Sequence, residues 1–132
     1  MIVGLGIDVV DTPRFRKTLE HHGAKFLRRI AHSADLRKRP KASSGGAPSD
    51  REVEYWAARF AAKEAFAKAL GTGIGKLVHW KAVGVDKDRS GKPRLVFSPA
   101  LEKALRAKGV SNSHLAITHS GGYAMAVVIL EG

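Results

Sequence analysis

Hydrophobic and polar positions follow two different periods along the chain, and the places where the period changes divide it into elements. Ile2 to Val10 is β-branched and apolar on both faces apart from Gly4, Gly6 and Asp8, which predicts a buried strand. Thr12 followed by Pro13 reads as a helix start, with Thr as N-cap and Pro at N1. The helix places Phe15, Leu19 and His22 on one side, with Arg14 and Lys17 off it, and Gly23 ends it. A second short helical piece, Ala24 to Ile30, buries Phe26, Leu27 and Ile30 and exposes Lys25, Arg28 and Arg29. Residues 37–50 are basic, rich in Pro, Gly and Ser, and have neither period, so a flexible loop is expected there.

A long helix follows, from Asp50 as N-cap to Leu70, with Gly71 as its stop. At about 100° per residue, Ala58, Ala61, Ala62, Ala65 and Ala69 make an all-alanine arc that lets a partner backbone come close. The opposite arc carries Trp56, Phe60, Phe66 and Leu70, with Arg59 and Lys63 inside the aromatic stripe and Glu64 and Lys68 on its flank. Solvated faces are normally separate from apolar ones, so charge among aromatics points to a site. The plainer reading is a surface helix with a Glu64 to Lys68 pair at i,i+4.

Beyond Gly71 the period becomes two. Trp80 to Asp86, a turn at Asp88 to Gly91 and a return strand from Arg94 to Phe97 form one hairpin. Pro99 opens a helix over 100–108, closed by Gly109. A second hairpin pairs His114 to His119 with Tyr123 to Leu130 across Ser120-Gly-Gly122. The fold class is α+β, a single domain over 1–132 whose mainly antiparallel sheet packs on the long central helix.

Composition narrows the chemistry. Twenty-three Lys and Arg against twelve Asp and Glu give a net charge of +11 and predict attraction to polyanions, weakened by salt. Nucleic acid, anionic lipid, a phosphate-rich small molecule and an acidic protein all qualify. Absence of cysteine excludes disulfides and thiolate metal sites and suggests a cytoplasmic setting. The apolar start contains Asp8 and is too short to span a bilayer, so no membrane role is expected.

Asp8 on a buried strand needs compensation by a cation or strong hydrogen bonds. Magnesium suits it, with Glu64 as a second carboxylate if the helix flank covers that strand end; pairing with an Arg or Lys is the alternative. Asp11 lies on the other face and helps the turn before Thr12. The run Gly71-Thr-Gly-Ile-Gly-Lys76 is not a P-loop, because the spacing is wrong and the glycines follow a helix. Its backbone N–H groups, beside Lys68 and Lys76, remain available to a phosphate. His119, at a strand end, is placed to touch a ligand.

Gly6-Ile-Asp-Val-Val-Asp-Thr-Pro-Arg14, Arg59-Phe-Ala-Ala-Lys-Glu-Ala-Phe-Ala-Lys68 with Ala-Leu-Gly-Thr-Gly73, Gly91-Lys-Pro93 and Ile117-Thr-His-Ser120 together resemble the holo-acyl-carrier-protein synthases, short members of the 4′-phosphopantetheinyl transferase superfamily. The resemblance implies Mg²⁺-dependent transfer of 4′-phosphopantetheine from coenzyme A to a serine of apo acyl carrier protein, releasing adenosine 3′,5′-bisphosphate. It makes Asp8 and Glu64 the metal ligands and Lys68 the group that neutralises the leaving phosphate. It sets Arg59, Lys63, Lys68, Gly71, Thr118 and His119 around the coenzyme. Acyl carrier protein would dock on Arg14, Lys17, Phe26, Arg28 and Arg29, and the chain would form a homotrimer with sites between subunits. The segment 38–50 is longer than in compact relatives, and Trp80-Lys-Ala-Val lacks the acidic residue often found after this aromatic. The competing function is a basic, non-enzymatic nucleic-acid-binding domain, which leaves Asp8 and Glu64 without a role.

Overall fold

In the computed structural model, which describes residues 1–42 and 46–132, strand β1 (Ile2–Asp11) pairs antiparallel with β5 (Tyr123–Glu131), and β5 pairs on its other edge with β4 (Asn112–Ser120). β1 is therefore an edge strand. Its inner face carries Gly4, Gly6, Asp8 and Val10, while Leu5, Ile7 and Val9 on the outer face are 65%, 51% and 51% exposed. The expectation of a strand buried on both sides is corrected: one face is covered by a helix and the other, among the described residues, is left open.

That helix is α3 (Asp50–Leu70), the hub of the molecule. Ser49, not Asp50, is its N-cap: Ser49 Oγ accepts from Glu52 N at 3.1 Å, and Glu52 Oε1 accepts from Ser49 N at 3.1 Å, a reciprocal capping box. Gly71 closes the helix in the left-handed conformation at φ 82°, where a side chain would be strained. The alanine arc lies on β1 as its composition predicted. A Cβ at Gly6 would stand 1.9 Å from Ala65 O and one at Gly4 2.1 Å from Ala69 O. Glycine facing alanine thus lets helix and strand backbones touch, which brings the flank of α3 within reach of Asp8.

Helix α1 (Thr12–Ile30) is capped by Asp11, whose Oδ1 accepts from Arg14 N at 3.0 Å, so Thr12 is already helical and the Thr12 cap expectation is corrected. Gly23 has non-helical angles (φ 18°, ψ −110°) and kinks it where the sequence placed a break. Phe15, Leu19 and Ile30 are buried with Val53, Trp56 and Ala57 of α3, but His22 points to solvent. A short α2 (Ser33–Arg37), which periodicity did not reveal, stands before the expected loop, and residues 43–45 of that loop lie outside the described residues. Trp80–Ala82 is a 3₁₀ turn instead of the start of a strand, so the hairpin is β2 (Val83–Lys87) with β3 (Pro93–Phe97). Helix α4 (Pro99–Ala107) is capped by Ser98 and packs Leu101 and Leu105 into the core with Phe66 and Val83. Among the described residues no helix is long and apolar enough to cross a membrane.

Candidate active site

The contact of β1 with α3 brings a lysine from the helix flank onto Asp8. Lys68, 54% exposed, donates from Nζ to Asp8 Oδ1 and to Ile7 O, both at 3.0 Å. Glu64 lies one turn earlier on the same flank of α3, and its Oε1 accepts from Trp80 Nε1 at 2.9 Å. The sequence left two readings for Asp8, and the lysine partner is found. Glu64 and Lys68 each turn to another element, so the i,i+4 pair offered as the plain reading of the helix is replaced by two long-range contacts. Among the described residues, Glu64 Oε2 accepts no hydrogen bond, and no group of three or more His, Cys, Asp or Glu is gathered. Asp8, its side chain 15% exposed and paired with Lys68, and Glu64, half-buried with Oε2 left open, offer carboxylate oxygens of the kind that suits Mg²⁺, which takes one or two protein carboxylates and completes its shell with water and substrate phosphate oxygens.

Arg59 and Lys63 stand elsewhere. Lys63 is fully buried, and the three N–H donors of its ammonium are shared among four acceptors, Asp35 Oδ2 at 2.6 Å, Val83 O at 2.6 Å, Trp80 O at 2.9 Å and Ile30 O. Asp35 is also fully buried and accepts from His32 N and Val85 N, both at 2.9 Å. Arg59 stacks on Tyr55, 3.5 Å from the ring centroid, with Nε 3.7 Å from Asp35 Oδ1 and without a hydrogen bond. Burial lowers the Lys63 and Arg59 pKa values from their usual ranges, with Asp35 opposing the shift in both. The charge among aromatics therefore marks an internal ion network, and Lys63, enclosed on every side, has no surface to offer a coenzyme. Sequence reasoning missed Asp35. Its signal was that it is the one acidic residue between Glu20 and Asp50 in a strongly basic stretch.

His32 caps α2, accepting at Nδ1 from Ala34 N at 3.0 Å, and its ring packs where a Cβ on Gly84 would lie 2.7 Å away. Burial lowers its pKa from 6.5, with Asp35 opposing. The fold thus favours the neutral ring, so below about pH 6.5 the unfolded chain binds more protons and stability falls as pH falls through the folded pKa. His32→Asn, which can still cap, is expected to flatten this part of the stability profile, measured by urea denaturation at stepped pH.

The remaining candidates divide by position. Gly71, Thr72 and Gly73 turn their N–H groups to Ala67 O, at 3.1, 3.3 and 3.2 Å, so these three donors close the helix and are not offered to an anion. Gly71 still leaves open space beside Lys68, with nothing within 4 Å of a built Cβ. His119 is in register with Ala124 and Val10, exposed at the end of β4. Thr118 is in register with Met125 and Val9 and lies on the outer sheet face, opposite Asp8. Arg14, Lys17, Arg28 and Arg29 are exposed on α1, and Phe26 is half-buried against Phe15 and Phe60. A cleft of about 520 Å³ opens beside Trp80 and is lined by Arg29, Lys76, His79 and Lys81.

The profile of the 4′-phosphopantetheinyl transferase superfamily matches residues 4–128. The holo-acyl-carrier-protein synthase of Geobacillus kaustophilus is 44% identical over 131 residues, covering 99% of this chain and 90% of its own. The crystal structure of the Neisseria meningitidis holo-acyl-carrier-protein synthase superposes with a TM-score of 0.88 at 37% identity, covering both chains completely. The Bacillus anthracis enzyme, crystallised in complex with coenzyme A (3′,5′-ADP), gives 0.77 at 38% identity over 98% of this chain and 96% of that one. The chain belongs to the 4′-phosphopantetheinyl transferase superfamily, as an enzyme of its holo-acyl-carrier-protein synthase class.

Proposed function

We propose that this enzyme transfers 4′-phosphopantetheine from coenzyme A to a serine of apo acyl carrier protein in a Mg²⁺-dependent reaction, and that the Asp8, Glu64 and Lys68 cluster at the β1–α3 contact is where it happens. The single observation that carries this reading is the pairing of Lys68 Nζ with Asp8 Oδ1 one helical turn from Glu64. The serine Oγ attacks the phosphorus attached to the pantetheine arm, and the phosphorus–oxygen bond to adenosine 3′,5′-bisphosphate breaks. Asp8 and Glu64 would hold Mg²⁺, whose chemistry there would be charge neutralisation and alignment of the diphosphate. Lys68, long and half-exposed, releases Asp8 to neutralise the leaving phosphate. Glu64, directly or through one water, takes the serine proton. Gly71 admits the nucleotide close to the backbone, and His119 contributes a polar side chain at the rim.

Two further features support the partners in this reading. The exposed Arg14, Lys17, Arg28 and Arg29 of α1, with Phe26 at their centre, suit an acidic protein, which accounts for the +11 charge without nucleic acid. The outer sheet face presents Leu5, Ile7 and Val9 in register with Ile129, Val127 and Met125, an apolar surface on an edge strand. Such a face calls for a partner, and a homotrimer supplies it. Thr118 lies on that face and Asp8 on the other, so Thr118 reaches a coenzyme only at the site of a neighbouring subunit. A cysteine-free chain using these substrates is assigned to the cytoplasm.

Mass spectrometry of apo acyl carrier protein incubated with the enzyme, coenzyme A and Mg²⁺ tests the activity. The expected result is one added phosphopantetheine per carrier, abolished by chelator and restored by excess Mg²⁺. An unmodified carrier, together with tight binding of the chain to DNA or RNA at physiological salt, would overturn it.

A further inference from the structure

The indole of Trp80 is the side chain that holds Glu64, and the chain fixes that indole from three directions. Its backbone carbonyl accepts from the buried Lys63 ammonium at 2.9 Å, which anchors the 3₁₀ turn to the interior. Its ring stacks on Phe60, centroids 5.9 Å apart and 30° between planes, and Phe60 stands one turn before Glu64 on α3. The Arg29 guanidinium lies 6.0 Å from the ring centroid. Thus placed, Nε1 donates to Glu64 Oε1 at 2.9 Å. A glutamate on an exposed helix flank has three freely rotating side-chain bonds. This hydrogen bond selects one arrangement, with Oε1 occupied and Oε2 open.

We infer that Trp80 is a positioning residue of the active site, its indole N–H fixing the Glu64 carboxylate so that one oxygen is presented to the cation. The inference rests on the proposed role of Asp8 and Glu64 as cation ligands and adds the group that orients one of them. Partners that orient a metal-binding side chain from behind typically account for 10–100-fold in metal affinity. Buried Lys63, outside the site itself, acts on it through the Trp80 carbonyl.

Trp80→Phe keeps a ring on Phe60 and removes the N–H. With coenzyme A saturating, Mn²⁺ binding followed by electron paramagnetic resonance is expected to weaken about tenfold, and the Mg²⁺ concentration that half-saturates carrier labelling to rise by the same factor. Turnover at saturating Mg²⁺ should fall by less, whereas general damage to the fold would lower turnover at every Mg²⁺ concentration. Wild-type Mn²⁺ affinity in Trp80→Phe, with affinity lost in Glu64→Ala, overturns the inference and leaves the cation site standing. Wild-type affinity in Glu64→Ala removes the cation reading and the inference together. Should Trp80→Phe not fold, Trp56→Phe leaves Trp80 as the sole tryptophan. Its emission must then change on Glu64→Ala, and an unchanged spectrum overturns the inference.

Discussion

Lys63→Met is expected to destabilise the protein by about 3–5 kcal/mol, the usual cost of breaking a buried ion pair and leaving one charge behind. Against a total stability of roughly 5–15 kcal/mol, the variant sits near the limit of folding, and its urea midpoint should drop accordingly. Lys63 touches four acceptors that come from α1, α2, the 3₁₀ turn and β2, so one ammonium ties four separate segments to α3. Methionine fills the volume and supplies no donor. Asp35 then keeps a buried carboxylate whose nearest cation is Arg59, at 3.7 Å and without a hydrogen bond. Adding Asp35→Asn to Lys63→Met removes the stranded charge and retains an oxygen for His32 N or Val85 N, so the double variant should be more stable than Lys63→Met alone. A double variant that is worse by the sum of the two single losses would mean that the pair is not coupled.

These residues also show what could be read without coordinates. Local chemistry marked most element ends: Gly71 stops α3, Pro99 opens α4, and the glycines at 121 and 122 turn β4 into β5. The close approach of α3 to β1 was legible because it follows from side-chain size alone, alanine on one surface and glycine on the other. Lys63 and Asp35 are 28 residues apart, and no period or cap links them. A lysine among aromatics looks the same in sequence whether it faces a ligand or a buried aspartate. β1 misled for a related reason: apolar residues on both faces predict two covers, and one chain provides a single helix. Trp80 looked like a strand residue because its aromatic, β-rich surroundings hide a 3₁₀ turn held by contacts from Lys63 and α3. The helix period put Glu64 and Lys68 on one flank and the strand period gave Asp8 its face, but joining the three as one site came from the resemblance to the holo-acyl-carrier-protein synthases. The contact of Lys68 with Asp8 required the packing of the two elements.

Asp8→Asn is expected to lower carrier labelling by about 10²–10³-fold, the scale seen when one preorganised electrostatic partner of a transition state is removed, while thermal stability moves little. The asparagine keeps the shape of the side chain and an oxygen for Lys68 Nζ. What it loses is the negative charge. The Asp8–Lys68 pair has its ammonium half in water, where solvent screening limits such contacts to about 0.2–1 kcal/mol, so folding gains little from it. In the proposed reaction Asp8 carries a different weight. With a neutral residue at 8, Glu64 is the sole carboxylate for a divalent ion, and the developing charge on the diphosphate loses much of its compensation. Raising Mg²⁺ should recover only part of the rate, because the missing charge also sets where Lys68 rests before the leaving phosphate draws it away. Full labelling by Asp8→Asn at low Mg²⁺ would move the reaction away from the end of β1. A melting temperature lowered by many degrees would instead give Asp8 a structural task that its half-open pairing with Lys68 does not suggest.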